Sequence, residues 1–262
     1  MIVHSTDGPV NRELDAGGTA VWYWLTTFSS EADADLIEAV LSDDERERRS
    51  RLRHVPDRRD FGAAHALLRT TLSGYAPEIA PRDWRFERNA FGKPAIVAGQ
   101  AGHPALTFSL THTGGIVACA VARGPDVGID VERTGRVTDP AAIAHRYFAA
   151  SECEQLAACS AEEYPMRFVE FWTLKEAYVK ALGRGLSLPL ASFAFEFDGA
   201  SGLRCRPHDG AVGWHFHLSS LAADVRLAVA TRGEGGEGAQ GSHVSFHCMR
   251  TSGPRLELLR SG

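Results

Sequence analysis

Two short stretches carry most of the chemistry in this chain: GIDVER at 128–133 and FWTLKEAYVKALGRGL at 171–186. The first reads as a strand, and Asp130 and Glu132, two residues apart, project from one of its faces. The second reads as a helix, and Glu176 and Lys180, four residues apart, share a side of it. Three carboxylates and an ammonium make a divalent-metal site for a phosphate-bearing substrate. Hard carboxylate oxygens with phosphate oxygens and waters suit Mg²⁺, which rarely uses an all-protein cage. Each half has a plainer explanation. Val127, Ile129 and Val131 opposite the acids also describe a half-buried edge strand with solvated carboxylates. Glu176 and Lys180 also describe a surface ion pair. Trp172 on the same side favours a covered cleft, since a fully exposed Trp is wasteful.

Other polar groups have readings that stay open. Thr111, His112 and Thr113 lie between two apolar runs, where a hydroxyl, an imidazole and backbone amides hold a phosphate or simply form a turn. Lys93 sits in the turn NAFGKP (89–94). GRGLSLP (183–189) offers either backbone amides to phosphate or a helix C-cap. Arg46, Arg48, Arg49, Arg51 and Arg53 interleave with Asp43, Asp44, Glu45 and Glu47. That pattern is an anion-binding face or a self-paired, solvated helix.

The elements that must hold these groups follow from periodicity. VWYWLTTF (21–28) is a buried strand, and 31–41 a helix with Leu36, Ile37, Val40 and Leu41 inward. Ser42 with Glu45 is a capping box opening a second helix that Pro56 ends, and Asp57 caps a third that stops near Gly74. Strands are expected at 84–88, 105–110, 116–122 and 127–132. Helices are expected at 139–148, at 151–159 behind a Ser151–Glu154 capping box, and from Pro165 to Gly183 with Phe171, Leu174, Tyr178, Ala181 and Leu182 buried. Strands return at 192–197, 213–219 and 225–231. Residues 1–18 read as a loose leader, RGEGGEGAQGS (232–242) as a flexible linker, and HVSFHCM (243–249) as a last strand or a stray segment.

With 262 residues and 44% hydrophobic composition, the chain is globular and long enough for two modest halves. A net charge of -5 gives no reason to expect bulk attraction to nucleic acid or membranes, so any anion site is built locally. Five cysteines without a CxxC pair indicate reduced thiols in a cytoplasmic protein. No signal peptide and no bilayer-spanning run is read. The element order gives an α+β fold of two similar α/β halves, 19–132 and 133–231, followed by a Gly-rich flexible tail, 232–262.

In this order the motifs resemble the Sfp-type 4′-phosphopantetheinyl transferases, over about residues 42–230. The resemblance rests on FGKP (Phe91 to Pro94), Thr111–His112, GxDxE (Gly128 to Glu132), FxxxE (Phe148 to Glu152), WxxKEAxxK (Trp172 to Lys180) and G-GLSLP (Gly183 to Pro189). It implies a monomeric pseudo-dimer with coenzyme A between its halves. It also implies Mg²⁺-dependent transfer of the phosphopantetheine arm to a serine of an apo acyl or peptidyl carrier protein, with release of 3′,5′-ADP. By the same resemblance Asp130, Glu132 and Glu176 are the metal group, and Lys180 contacts the phosphates. Lys93, Thr111 and His112 hold the nucleotide, with Arg48, Arg51 and Lys175 as further cofactor contacts. Glu176 is the first choice of base and Glu152 the second, with a metal-bound hydroxide as a third route. One position departs from the pattern: where the family commonly has a basic residue this chain has Asp60, with Arg58 and Arg59 beside it as alternatives for the charge. The rival reading is a non-catalytic coenzyme A or carrier-protein binding module, which would have lost an acid from the metal set. An unrelated Mg²⁺-dependent nucleotide enzyme of the P-loop kind lacks its GxxxxGK[ST] here.

Overall fold

The structure is a computed structural model that describes residues 14, 18–28, 31–100, 106–124, 126–198, 202–210, 212–233, 244–252 and 255–260. Most of the expected leader and of the Gly-rich linker lies outside the described residues. Among the described residues no helix is long and apolar enough to cross a membrane.

Two sheets stack face to face, with helices on both outer sides. In the first sheet the strand order is β12-β11-β1-β5-β4, formed by β1 (Thr19–Leu25), β4 (Leu106–Thr113), β5 (Ile116–Arg123), β11 (Val244–Ser252) and β12 (Arg255–Arg260). The second has the order β6-β10-β9, from β6 (Val127–Arg133), β9 (Trp214–Ala222) and β10 (Val225–Arg232). Alternation sorts the side chains. Trp22 and Trp24 of β1 face the helices α1 (Glu31–Val40) and α3 (Val55–Tyr75), packing with Leu67, Leu72 and Phe108. Val21 and Tyr23 face the second sheet, where they join Ile129, Val131, Leu227 and Val229. Burying Ile129 and Val131 fully contributes roughly 1.5–3 kcal/mol each.

The outer face of the second sheet is covered by α6 (Tyr164–Leu182), with α4 (Pro140–Tyr147) and α5 (Ala150–Ala157) alongside. Phe171, Leu174, Tyr178 and Ala181 are buried as the periodicity predicts, but so are Phe168, Val169, Thr173, Lys175, Ala177 and Val179. The helix is enclosed on several sides rather than by one stripe. Gly128 lets it come close: a Cβ there would meet Ala177 O at 2.0 Å and Ala181 N at 2.4 Å, both backbone atoms. Backbone cannot swing aside as a side chain does, so Gly128→Ala must lift the helix off β6. We expect it to cost about 1–3 kcal/mol, the range for overpacking, seen as a melting temperature lowered by several degrees. An unchanged melting curve would mean that helix and strand tolerate a wider gap.

Several expectations are corrected here. β6 pairs with β10 throughout, Asp130 opposite Ala228, so it belongs to the second sheet rather than closing a first half at 132. The tail is not all loose: β11 runs parallel to β1 and β12 adds to it. Pro56 lies in the first turn of α3 behind His54, where its missing N–H costs nothing, instead of ending the previous helix. The cap of α5 is Ala149, whose N–H donates to Glu152 Oε2 at 2.9 Å, and not Ser151 with Glu154. The Ser42–Glu45 box of α2 (Asp43–Ser50) forms as read. Short hairpins β2–β3 (Phe86–Arg88, Pro94–Ile96) and β7–β8 (Ala194–Asp198, Gly202–Arg206) complete the fold.

Candidate active site

Edge strand β4 of one sheet lies beside edge strand β6 of the other. Ser109 Oγ accepts the Ile129 N–H at 3.1 Å, which fixes their register. Two residues on, the Thr111 hydroxyl donates to Asp130 Oδ1 at 3.0 Å, and after two more Thr113 donates to Glu132 Oε2 at 3.3 Å. The period-2 geometry of both strands thus makes a ladder of hydroxyls facing acids. From above, Lys180 of α6 donates to Asp130 Oδ1 at 2.7 Å and to Thr111 Oγ1 at 3.1 Å. Its ammonium goes to the two strands rather than to Glu176, so the surface ion pair is not what forms.

Glu176 lines the same cleft between Lys180 and Trp172. The polar end, about 350 Å³, is walled by Thr111, His112, Asp130, Glu132, Trp172 and Glu176. An apolar end of about 280 Å³ continues past Glu176 and Lys180 to Phe91, Pro94, Phe108 and Val179. Burial, then neighbouring Asp130, hold Glu176 above the usual carboxylate range, with Lys180 pulling the other way. Glu132 is raised for the same two reasons and lowered by Arg136 and Thr113. Arg136 reaches it through Thr113, whose hydroxyl accepts the Arg136 Nη1–H.

This donor set fits a hard divalent cation. Asp130 is 4% exposed and its Oδ2 is buried with no hydrogen-bond partner among the described residues. Such an orphan carboxylate oxygen is costly unless something charged completes it. Among the described residues no three His, Cys, Asp or Glu side chains are already gathered as a cage. Mg²⁺ does not need one, since it keeps waters and takes substrate oxygens.

Over 179 residues the chain is 34% identical to the 4′-phosphopantetheinyl transferase HetI of Nostoc sp., covering 68% of this chain and 74% of that one. This chain belongs to the 4′-phosphopantetheinyl transferase superfamily. The model bearing that description matches residues 126–230, from the start of β6 almost to the end of β10. The 4′-phosphopantetheinyl transferase Sfp of Bacillus subtilis is 32% identical over 63% of this chain and 70% of its own. A phosphopantetheinyl transferase of Thraustochytrium sp. is 28% identical over 80% and 76% respectively.

Not every residue expected at the transferase site is there. Asp130, Glu132, Thr111, His112, Glu176 and Lys180 line one cleft. Glu152 and Lys175 do not reach it. Both are fully buried, 2.7 Å apart, in the core behind α6. Helix geometry turns Lys175 about 100° away from Glu176, so its ammonium donates to Leu190 O and Phe193 O instead. Neither the base role of Glu152 nor the cofactor role of Lys175 fits that position. Arg48 and Arg51 are exposed, line neither end of the cleft, and Arg51 pairs with Glu47. Arg46 pairs with Asp43 of the same helix, but Arg46 and Arg49 also pair with Glu38 of α1, so the α2 arginines are held partly by their own helix and partly by its neighbour.

Lys93 lines the apolar end, but its ammonium is tied to Val127 O at 3.1 Å and Ala181 O at 2.8 Å. Burial lowers its pKa from the usual lysine value. It clamps the start of β6 to the end of α6. Asn89 helps, donating to Gly183 O at 3.0 Å, and Gly183 is the left-handed C-cap of α6 at φ 64°. The cap explanation of the GRG segment therefore holds at Gly183. Asp60 is a clamp too: it accepts from Thr26 Oγ1 at 2.6 Å, Gly115 N at 3.0 Å and Arg59 Nε at 3.0 Å. It pins the turn that follows the Thr111–Thr113 ladder. Ser109 and Arg136 are positioning groups not singled out from the sequence, and Thr113, read there with Thr111 and His112 as a phosphate or turn residue, orients Glu132. The period-2 run Ser109, Thr111, Thr113 was the signal available for Ser109.

Proposed function

We propose that this protein transfers the 4′-phosphopantetheine arm of coenzyme A to a serine of an apo acyl or peptidyl carrier protein, a holo-[acyl-carrier-protein] synthase type reaction. The observation that carries this is the convergence of Asp130, Glu132, Glu176 and Lys180 on one cleft with an apolar extension. Asp130, Glu132 and Glu176 would hold Mg²⁺, which supplies charge neutralisation to the substrate pyrophosphate. Phosphoryl transfer asks mostly for positioning and electrostatics. Lys180 places an ammonium where phosphate charge develops, and His112 offers a nitrogen to a phosphate at the rim. The carrier serine oxygen bonds to the phosphorus bearing the pantetheine arm. The bond from that phosphorus to the bridging oxygen breaks, and 3′,5′-ADP departs with the electron pair. Glu176 takes the serine proton. We further propose that the enzyme works in the cytoplasm as a monomer.

Intact-protein mass spectrometry tests the reading. An apo carrier protein incubated with coenzyme A, Mg²⁺ and this chain should gain one phosphopantetheine, and none in excess EDTA. Equal modification under EDTA would remove the cation from the reaction. No modification of several carrier types would favour a coenzyme A or carrier-protein binding module.

A further inference from the structure

Lys180 stands where a cation would. Its Nζ lies 2.7 Å from Asp130 Oδ1 and bonds Thr111 as well, while Asp130 Oδ2 stays buried and without a partner among the described residues. Three elements supply the charges around it: Asp130 and Glu132 from β6, Glu176 from α6, and Arg136 following β6, which reaches Glu132 through Thr113 of β4. An ammonium on Oδ1 repels a divalent ion at the same carboxylate. The lysine stem is flexible and its head a compact point charge, so it can leave Asp130 for a better anion within reach. A pyrophosphate in the cleft is such an anion.

We propose that Lys180 is the resident counter-ion of the acid cluster, exchanged for a divalent cation when the pyrophosphate of coenzyme A draws the ammonium off Asp130. This rests on the transferase reading of the site. In the free protein Lys180 keeps the cation out; in the complex it faces phosphate and the acids are released to the cation. Cation and coenzyme A then bind cooperatively, each tightening the other by the same factor.

Mn²⁺, an oxygen-seeking stand-in for Mg²⁺, is the probe, followed by electron paramagnetic resonance on the full chain. The wild type should bind Mn²⁺ weakly alone and about tenfold or more tightly with saturating coenzyme A. Phosphate oxygens also bind Mn²⁺ directly, so the deciding comparison is made without coenzyme A. There Lys180→Met should bind Mn²⁺ about tenfold more tightly than the wild type, having lost a unit charge beside the acids. Lys180→Arg keeps the charge and should stay as weak as the wild type. Lys180→Gln, read in the same way, serves if the Met variant does not melt cooperatively. Equal Mn²⁺ affinity of the charge-removed variant and the wild type overturns the exchange and leaves the transferase reading standing. Tightened binding in that variant, with no carrier protein modified by the wild type, leaves Lys180 as the counter-ion of the acids but overturns the transferase reading and, with it, the exchange driven by coenzyme A.

Discussion

Glu176→Gln should leave the protein folded and cut carrier-protein modification by about a hundredfold or more, the usual loss when general-base help is removed. The structural side of this expectation follows from the direction of the Glu176 pKa. Burial and Asp130 raise it, so folding makes the ionised carboxylate less favourable than it is in the unfolded chain. A group whose ionised form is disfavoured by folding withdraws stability as pH rises through its folded pKa. Gln carries no charge and keeps the length and helix preference of Glu. The variant should therefore melt at or slightly above the wild-type temperature at neutral pH. Modification rate and melting curve measured on one preparation check both halves. Wild-type turnover in the variant would exclude Glu176 as base and as metal ligand together.

That pairing of a stable fold with lost chemistry was readable from the sequence because it depends on local periods. Alternation along 127–133 places Asp130 and Glu132 opposite Val127, Ile129 and Val131, and the strand buries its faces that way. The four-residue spacing of Glu176 and Lys180 places both over β6. Local patterns could not say which strand lies beside which. The Thr111–Asp130 and Thr113–Glu132 contacts join edges of two different sheets, and β1 pairs with β11 from the far end of the chain. Non-local pairings leave no period in either partner.

Residue type alone was equally blind to the fate of the lysines. Lys93, Lys175 and Lys180 fall in motifs of similar character, yet each ammonium has different partners. Lys93 binds the carbonyls of Val127 and Ala181, Lys175 binds Glu152 and two carbonyls, and Lys180 binds Asp130 and Thr111. What separates them is the direction each stem leaves its backbone relative to the cleft. That direction is set by packing: Gly128 brings α6 down on β6, and the Gly183 cap ends it against the FGKP turn. Asp60 shows the converse. As an acid where a basic residue was expected, it looked like a lost contact. Its three hydrogen bonds make it the group that fixes the Gly114–Gly115 turn.

The Glu152–Lys175 pair carries the largest stability effect we expect, and it separates a core residue from a cofactor contact. Both side chains are fully buried. Glu152 also accepts the N–H of Ala149 at 2.9 Å and of Phe195 at 2.9 Å, and Lys175 lies over the Phe193 ring at 4.3 Å. One ion pair thus joins the start of α5, the middle of α6 and the strand β7. Burial is the first cause of both pKa shifts, raising Glu152 and lowering Lys175, each opposed by the partner's charge. Removing one partner leaves the other charge buried and unmatched. Lys175→Met should therefore cost about 3–5 kcal/mol, the usual result of breaking a buried pair from one side. Adding Glu152→Gln to it should recover part of that loss, because the stranded carboxylate is gone. Chemical denaturation of the two single variants and the double variant gives the coupling directly. If Lys175 instead held coenzyme A from the cleft, Lys175→Met would unfold like the wild type and lose only affinity for the cofactor. That outcome would return Lys175 to the active site and require α6 to turn relative to β6.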